Sequence, residues 1–285
     1  MKKIGITTDC VCDLPDEFLK LNDVGITRFY VYTSTGRFMD GHEITSDNII
    51  EYLEETGEKA ITSAPDPREY KEFFEKYLKK YDEIIHIPIS KKLDSSCINV
   101  FESLNIMGKN SDKVHIVDSE SLSTGMGHLV VKAVEMRDAG KSAEDIVKAL
   151  EEMKPKVSTT FITVSLDNLY HNGRVPKSAK NFCSALSLHP ILTMKNGLIT
   201  LKGVEIGNYD KAVMNYLKKE LKHQNKINKK RAFITYAGCS IKKINEVKAE
   251  VQRLCDFEEV IVTKASATVS GNCGPHTVGL IFVYN

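Results

Sequence analysis

No stretch of the 285 residues comes near the roughly 20 consecutive apolar residues that a membrane-spanning helix needs, and Met1-Lys2-Lys3 leads straight into a strand pattern rather than a signal peptide. The chain therefore reads as a cytoplasmic protein. Net charge is nearly absent as well: 39 basic residues against 38 acidic leave +1, which argues against a nucleic-acid groove or a polybasic membrane anchor. The lysine-rich run from Lys219 to Lys230 reads more simply as a solvated helix end and loop. The seven cysteines include no CxxC pair and are odd in number, which fits neither a disulfide framework nor a zinc site. Most of them suit the role of small buried hydrophobes, with Cys10 and Cys273 in turn-like segments where a reactive thiol stays open. No acid–base pair at motif spacing and no nucleophile elbow occurs. Gly125-Met126-Gly127 invites a dinucleotide-binding reading, but Val130 occupies the third glycine position.

What is present is ordinary globular material, 42% hydrophobic and 27% charged, long enough for two compact lobes. Up to about residue 157 strands and helices alternate. Ile4 to Thr8, Gly25 to Thr33, Glu83 to Pro88 and Val114 to Val117 read as strands. Pro15 starts a short helix, and longer helices are expected over 44–53, 68–80, 96–107, 129–137 and 142–153. This alternation predicts a doubly wound parallel sheet with its ligand crevice at the strand C-termini, where Thr62, Ser95 and Asp118 fall in loops. From residue 158 the pattern shifts to shorter β runs, hairpin chemistry and helices, and predicts a second lobe with a mixed sheet.

The second half is densest in signal between Thr159 and Gly197. A β-branched run from Thr160 to Val164 is followed by helical spacing that Gly173 stops, then by Arg174, then by a helix from Pro176 to about Leu186. The pair Asn196-Gly197 marks a hairpin between 189–194 and 198–201. A guanidinium between two helix ends is placed to grip a carboxylate or phosphate bidentately, although a plain surface arginine would look the same. Hydroxyls at the helix start around Ser95 and Ser96 offer an anion site, and helix capping explains Asp94 or Ser95 equally well. The segment Ser270 to His276 reads as a polar loop, with His276 either bonding a ligand or simply solvated.

Taken together, the pieces ITTDCVCDLP, ITSAPDP, IPISKKLDSSC, VHIVDSESLSTGMG, LYHNGRVPKSAK with HPILTMKNG, and NCGPHTVGL resemble, in order and spacing, the DegV family of fatty-acid-binding proteins over nearly the whole chain. The resemblance implies an α/β fold of two lobes, a three-layer α/β/α lobe with a parallel sheet over residues 1–157 and a second α/β lobe with a mixed sheet over 158–285. The C-terminal segment is free to pack back on the first lobe. It also implies a non-catalytic carrier that binds one long-chain fatty acid, uses no cofactor or metal, and presents the lipid to a separate fatty acid kinase.

Carried over residue by residue, Thr62 and Ser63 match the family's TS-P motif, and Arg174 matches the arginine that follows a glycine pair. Asp94 stands where the family has serine, followed by Ser95 and Ser96. Asp66 is likewise an acid in place of serine. Asn272 stands where the terminal histidine belongs, and His276 lies beyond the Gly274-Pro275 pair. An ionised Asp94 aimed at a lipid carboxylate would repel it. The expected tunnel lining includes Phe161, Leu166, Phe182, Leu186, Leu188, Ile191 and Leu192, and burying about 14 methylenes at roughly 0.8 kcal/mol each is worth about 11 kcal/mol before ordering costs. Two other readings stay open: an enzyme that acts on an anionic small molecule through a loop hydroxyl or thiol, and a regulatory module whose bound lipid controls contact with another protein.

Overall fold

The computed structural model describes residues 2–183 and 187–285. The chain opens with strand β1 (Ile4–Asp9), helix α1 (Asp16–Leu21) and three short strands, β2 (Gly25–Thr27), β3 (Tyr30–Thr33) and β4 (Gly36–Met39). Then come α2 (Ser46–Thr56), β5 (Ile61–Ser63), α3 (Pro67–Leu78), β6 (Glu83–Ile87), α4 (Ser96–Met107), β7 (Val114–Ile116), α5 (Ser123–Asp138) and α6 (Ala143–Met153). The second half runs β8 (Val157–Ile162), α7 (Asp167–His171), α8 (Lys177–Cys183), β9 (Leu188–Lys195), β10 (Leu198–Ile206) and α9 (Tyr209–Glu220). It ends with β11 (Ile227–Ala237), α10 (Ile241–Leu254), β12 (Glu259–Lys264), α11 (Ala267–Cys273) and β13 (Thr277–Tyr284).

Four strands form a parallel sheet in the order β2-β1-β6-β7. Alternation along β6 decides which helices cover which face. Ile84 packs with Tyr70 and Phe74 of α3 and Val100 of α4, whereas Ile85 and Ile87 point the other way, into a cluster with α5 and α6. Six more strands make the mixed sheet β10-β9-β8-β13-β11-β12, one face of which is covered by α9 and α10 through Val213, Leu217, Ile244 and Val247. Helix α5 fills the space between the two sheets. Its residues Ser123 to Val131 are all buried and, His128 apart, are apolar or small on every side, as the part of a helix clamped between two layers must be. One apolar core thus runs from Ile6 through Met126 to Phe233 and Ile281, across the 157/158 boundary.

Several elements differ from the sequence reading. The run 25–33 splits into β2 and β3, which belong to different sheets. The proline-flanked loop begins as β5, which pairs antiparallel with β3. The lysine-rich run ends inside β11, where Asn228, Lys229 and Lys230 are exposed after the buried Ile227. The expected polar loop at 270–276 is helical as far as Cys273. That helix is hard to see in sequence because carboxylates from far upstream help to cap it. Asp40 accepts from Ala267 N and Thr268 N at 3.0 and 2.8 Å, and Asp13 accepts from Ser266 N at 2.8 Å. Among the described residues no helix is long and apolar enough to cross a membrane.

Candidate functional site

Each polar residue of the site owes its position to a local rule. Gly173, at φ +69°, ends α7, and Arg174 N closes the turn on Leu169 O at 2.7 Å, which sets where the guanidinium leaves the chain. Asp66 forms a capping box with Glu69 and Pro67 opens α3, so the acid at this position is taken up by the helix start. Asp94 sits in the loop after β6, where its Oδ1 accepts from Ser96 N at 3.0 Å. Asn272 lies in the last turn of α11, with Nδ2 bonded to Thr268 O at 2.8 Å.

These segments converge. Arg174 Nη2 donates to Asp94 Oδ2 at 3.1 Å, Arg174 Nε donates to Asn272 Oδ1 at 3.4 Å, and Asn272 Nδ2 donates to Thr62 Oγ1 at 3.1 Å. Burial raises the Asp94 carboxyl above the usual carboxylate range, and the Arg174 charge pulls it partly back. Arg174, Asp94 and Asn272 line one end of a cavity of about 40 Å³ whose other walls include Val11, Phe29, Ile89, Leu93, Leu169 and Ile199. Leu122, Val269 and Cys273 separate it from a second void of about 30 Å³ beneath α5, between Phe161, Gly279 and Ile281 of the six-stranded sheet. An open small-molecule site measures about 300–1,000 Å³, so in this conformation the path is closed by its own side chains. Larger surface hollows exist, such as one of about 510 Å³ beside Lys2, Glu83, Arg137 and Lys141, but charged groups line them.

A further residue of the site had no signal in the sequence. Thr268 lines the first cavity, and its Oγ1 is buried without a hydrogen-bond partner. Buried hydroxyls are normally bonded, so this one is a donor and acceptor in reserve. The sequence carries no sign of it because it carries none of the helix that holds it.

The other sequence candidates lie outside this group. Thr62 reaches the cavity only through Asn272, and Ser63 is half-buried on the same strand. Ser95 is exposed at the start of α4 and makes no side-chain cap. Ser96 is fully buried, its hydroxyl shared between Asp9 Oδ2 at 2.8 Å and Tyr70 OH at 2.7 Å. His276 is exposed, with φ +54°, its carbonyl bonded by Tyr209 OH and its ring edge-on to Tyr209 at 6.4 Å. Asp118 is bonded to Lys91 N and Glu120 N, tying its loop together. Of the apolar candidates, Phe161 lines the second void, Leu166 and Leu192 join the shared core, Ile191 faces the α9–α10 side, and Leu188 is half-buried in β9. Phe182 is exposed and Leu186 lies outside the described residues. The glycines of Gly125-Met126-Gly127 serve close packing: a Cβ on Gly125 would fall 2.1 Å from Thr159 Oγ1 and 2.2 Å from Ser121 Oγ.

Thiol chemistry finds no support at the cavity. Burial pushes the Cys273 thiol up to about 12 and holds Cys10 well above its ordinary value, so both are protonated at neutral pH. A hydroxyl–imidazole hydrogen bond does occur between Thr7 and His86 at 3.0 Å, but both residues are fully buried in the parallel sheet. Among the described residues no cluster of three or more His, Cys, Asp or Glu side chains could hold a metal ion.

Comparison with known proteins extends the geometry. A DegV domain-containing protein of Caldanaerobacter subterraneus subsp. tengcongensis is 26% identical over 282 residues, 99% of either chain. A Thermus thermophilus structure described as "Fatty Acid Binding of a DegV family Protein" superposes with a TM-score of 0.90 at 26% identity, over 99% of this chain and 100% of that one. The fold is also that of the Streptococcus pneumoniae fatty acid kinase B3 protein loaded with linoleic acid, at a TM-score of 0.85 and 18% identity, over 99% of this chain and 100% of that one. The family model described as "Uncharacterised protein, DegV family" matches residues 3–285, and the chain belongs to the DegV family.

Proposed function

We propose that this protein is a cytoplasmic carrier that binds one long-chain fatty acid, performs no chemistry on it, and presents its carboxylate to a separate fatty acid kinase. Residues 1–157 and 158–285 form the two lobes that enclose the lipid. The observation that carries this reading is the convergence of Arg174, Asn272, Thr268 and, through Asn272, Thr62 at one end of an apolar cavity that adjoins a second void under α5. Such an arrangement suits a molecule with one polar end and a long apolar remainder. Ser63, Ser95, Ser96 and His276 stand apart from the cavity and are assigned no contact with the head group.

An acyl chain enters this path as the Leu93, Leu122, Leu169 and Ile199 side chains turn aside. The gain from burying about 14 methylenes, on the order of 11 kcal/mol, is ample to offset a few rotamer changes. The carboxylate at the cavity, Asp94, is paired with Arg174, and the Cys273 thiol is protonated, so the enzyme reading has no activated nucleophile in its favour.

Organic extraction and mass spectrometry of the purified protein tests the carrier reading. About one acyl chain per protein is expected. In Val269→Phe, whose added ring occupies the wall between the two voids, the recovered lipid falls to a small fraction of that while the circular dichroism spectrum is retained. Folded wild-type protein that yields no lipid and binds no added fatty acid would sink the reading.

A further inference from the structure

The head-group end of the cavity already contains a carboxylate of the chain itself. Asp94 Oδ2 lies 3.1 Å from Arg174 Nη2, with the Asp94 side chain only 7% exposed, so the one cation that lines this cavity among the described residues is neutralised before any ligand arrives. The groups facing Asp94 from neighbouring elements do not relieve it. From β1 comes Asp9, a second carboxylate, saturated by Thr27, Tyr70, Ser96 and Ile89 N at 2.7–2.9 Å. From α11 come Asn272, Thr268 and the protonated Cys273, all uncharged. From the residue that precedes α5 and from β10 come the apolar Leu122 and Ile199. A fatty-acid anion entering here would place two negative charges on one guanidinium in surroundings that screen poorly, and two carboxyls in that position hold a proton between them.

We propose that Asp94 and the acid group of the ligand bind as a pair that shares a single proton, so that the site takes the protonated fatty acid in preference to its anion. This inference rests on the carrier reading. The proton comes from solvent as the ligand enters and lies in an O–H···O⁻ hydrogen bond between the two carboxyls. Arg174 balances the remaining negative charge, and the unbonded Thr268 hydroxyl is free to donate to the ligand's other oxygen. Because binding takes up a proton, affinity falls about tenfold for each unit of rising pH until the complex itself loses that proton. A serine or asparagine at this position would remove the dependence.

The test is calorimetric titration of delipidated protein with dodecanoate below its aggregation concentration. Wild type and Asp94→Asn are compared across neutral pH, in buffers of differing ionisation enthalpy. The ratio of the two dissociation constants cancels the ligand's own ionisation. Expected are a ratio that rises about tenfold per pH unit, uptake of about one proton by the wild type and of none by the variant, with Asp94→Ser as the second variant should Asp94→Asn fold poorly. Identical pH slopes, or no proton uptake by the wild type, overturn the inference and leave the carrier reading standing. Absence of binding by every protein at every pH overturns both.

Discussion

The side-chain amide of Asn272 donates to the hydroxyl of Thr62 at 3.1 Å, joining residues 210 positions apart and linking the last turn of α11 to β5. Nδ2 also bonds Thr268 O, and Oδ1 accepts from Arg174, so the amide is satisfied on both sides and fixed in orientation. Thr62 fixes the amide, and the amide fixes Arg174. In Thr62→Val, which keeps the shape and removes the hydroxyl, the loss of one hydrogen bond lowers stability by about 1 kcal/mol. Fatty-acid affinity should weaken several-fold, because Asn272 is then held only by Thr268 O and Arg174 and orients the guanidinium less firmly. Fluorescence titration with a labelled fatty acid checks this, and unchanged affinity would separate Thr62 from the site.

Arg174 has a structural duty besides any contact with lipid. Removing it leaves Asp94 buried without its counter-charge, so Arg174→Ala should be destabilised by about 1–3 kcal/mol in urea denaturation. The double variant Arg174→Ala/Asp94→Ala should recover most of that loss, since neither charge then remains. A double variant as unstable as the sum of its single changes would show that the two residues do not couple.

How far the site could be read from sequence follows from the same contacts. Gly173-Arg174 is legible because a glycine at a helix end and a following cation obey local rules. The hairpin at Asn196-Gly197 is legible for the same reason, both residues having positive φ. Helix α11 is not, since its start is capped in part by Asp13 and Asp40 and its face is set by Ser46 bonding Ser270 at 2.7 Å. With the helix hidden, Thr268 was hidden too. Ser96 shows the opposite failure: its hydroxyl fits an anion site in sequence, yet three-dimensional packing gives it to Asp9. The pairing of Asp94 with Arg174 joins loops 80 residues apart, which no local pattern reports.

Asp13 makes stability depend on pH. Burial raises its carboxyl from 3.8 to about 7, against the hydrogen bonds from Ser123 and Ser266 that favour the charged form. The folded protein therefore binds this proton more tightly than the unfolded chain does. The associated stability is fully present below about pH 4 and is lost as pH rises toward 7, by about 4 kcal/mol for a shift of this size. Asp13→Asn carries no such titration. Denaturant midpoints of the two proteins should diverge between pH 4 and 7, with the wild type losing ground, and run parallel above that range. Parallel behaviour throughout would mean that Asp13 is ionised at little cost.

Gly125 separates the packing account of the Gly-Met-Gly segment from any ligand account. A Cβ there would collide with the Thr159 and Ser121 hydroxyls, which bond each other at 2.9 Å between α5 and the mixed sheet. In Gly125→Ala the gain in helix propensity, about 0.5–1 kcal/mol, opposes overpacking of about 1–3 kcal/mol together with disruption of a buried hydroxyl pair. The second effect is larger, so the variant should lose about 2 kcal/mol and several degrees in melting temperature. Gly203→Ala, at a site where a Cβ meets nothing within 4 Å, should change stability by less than about 0.5 kcal/mol. If the two variants melt together, α5 has room to shift, and the close approach of its first turn to β8 does not hold the two sheets in register.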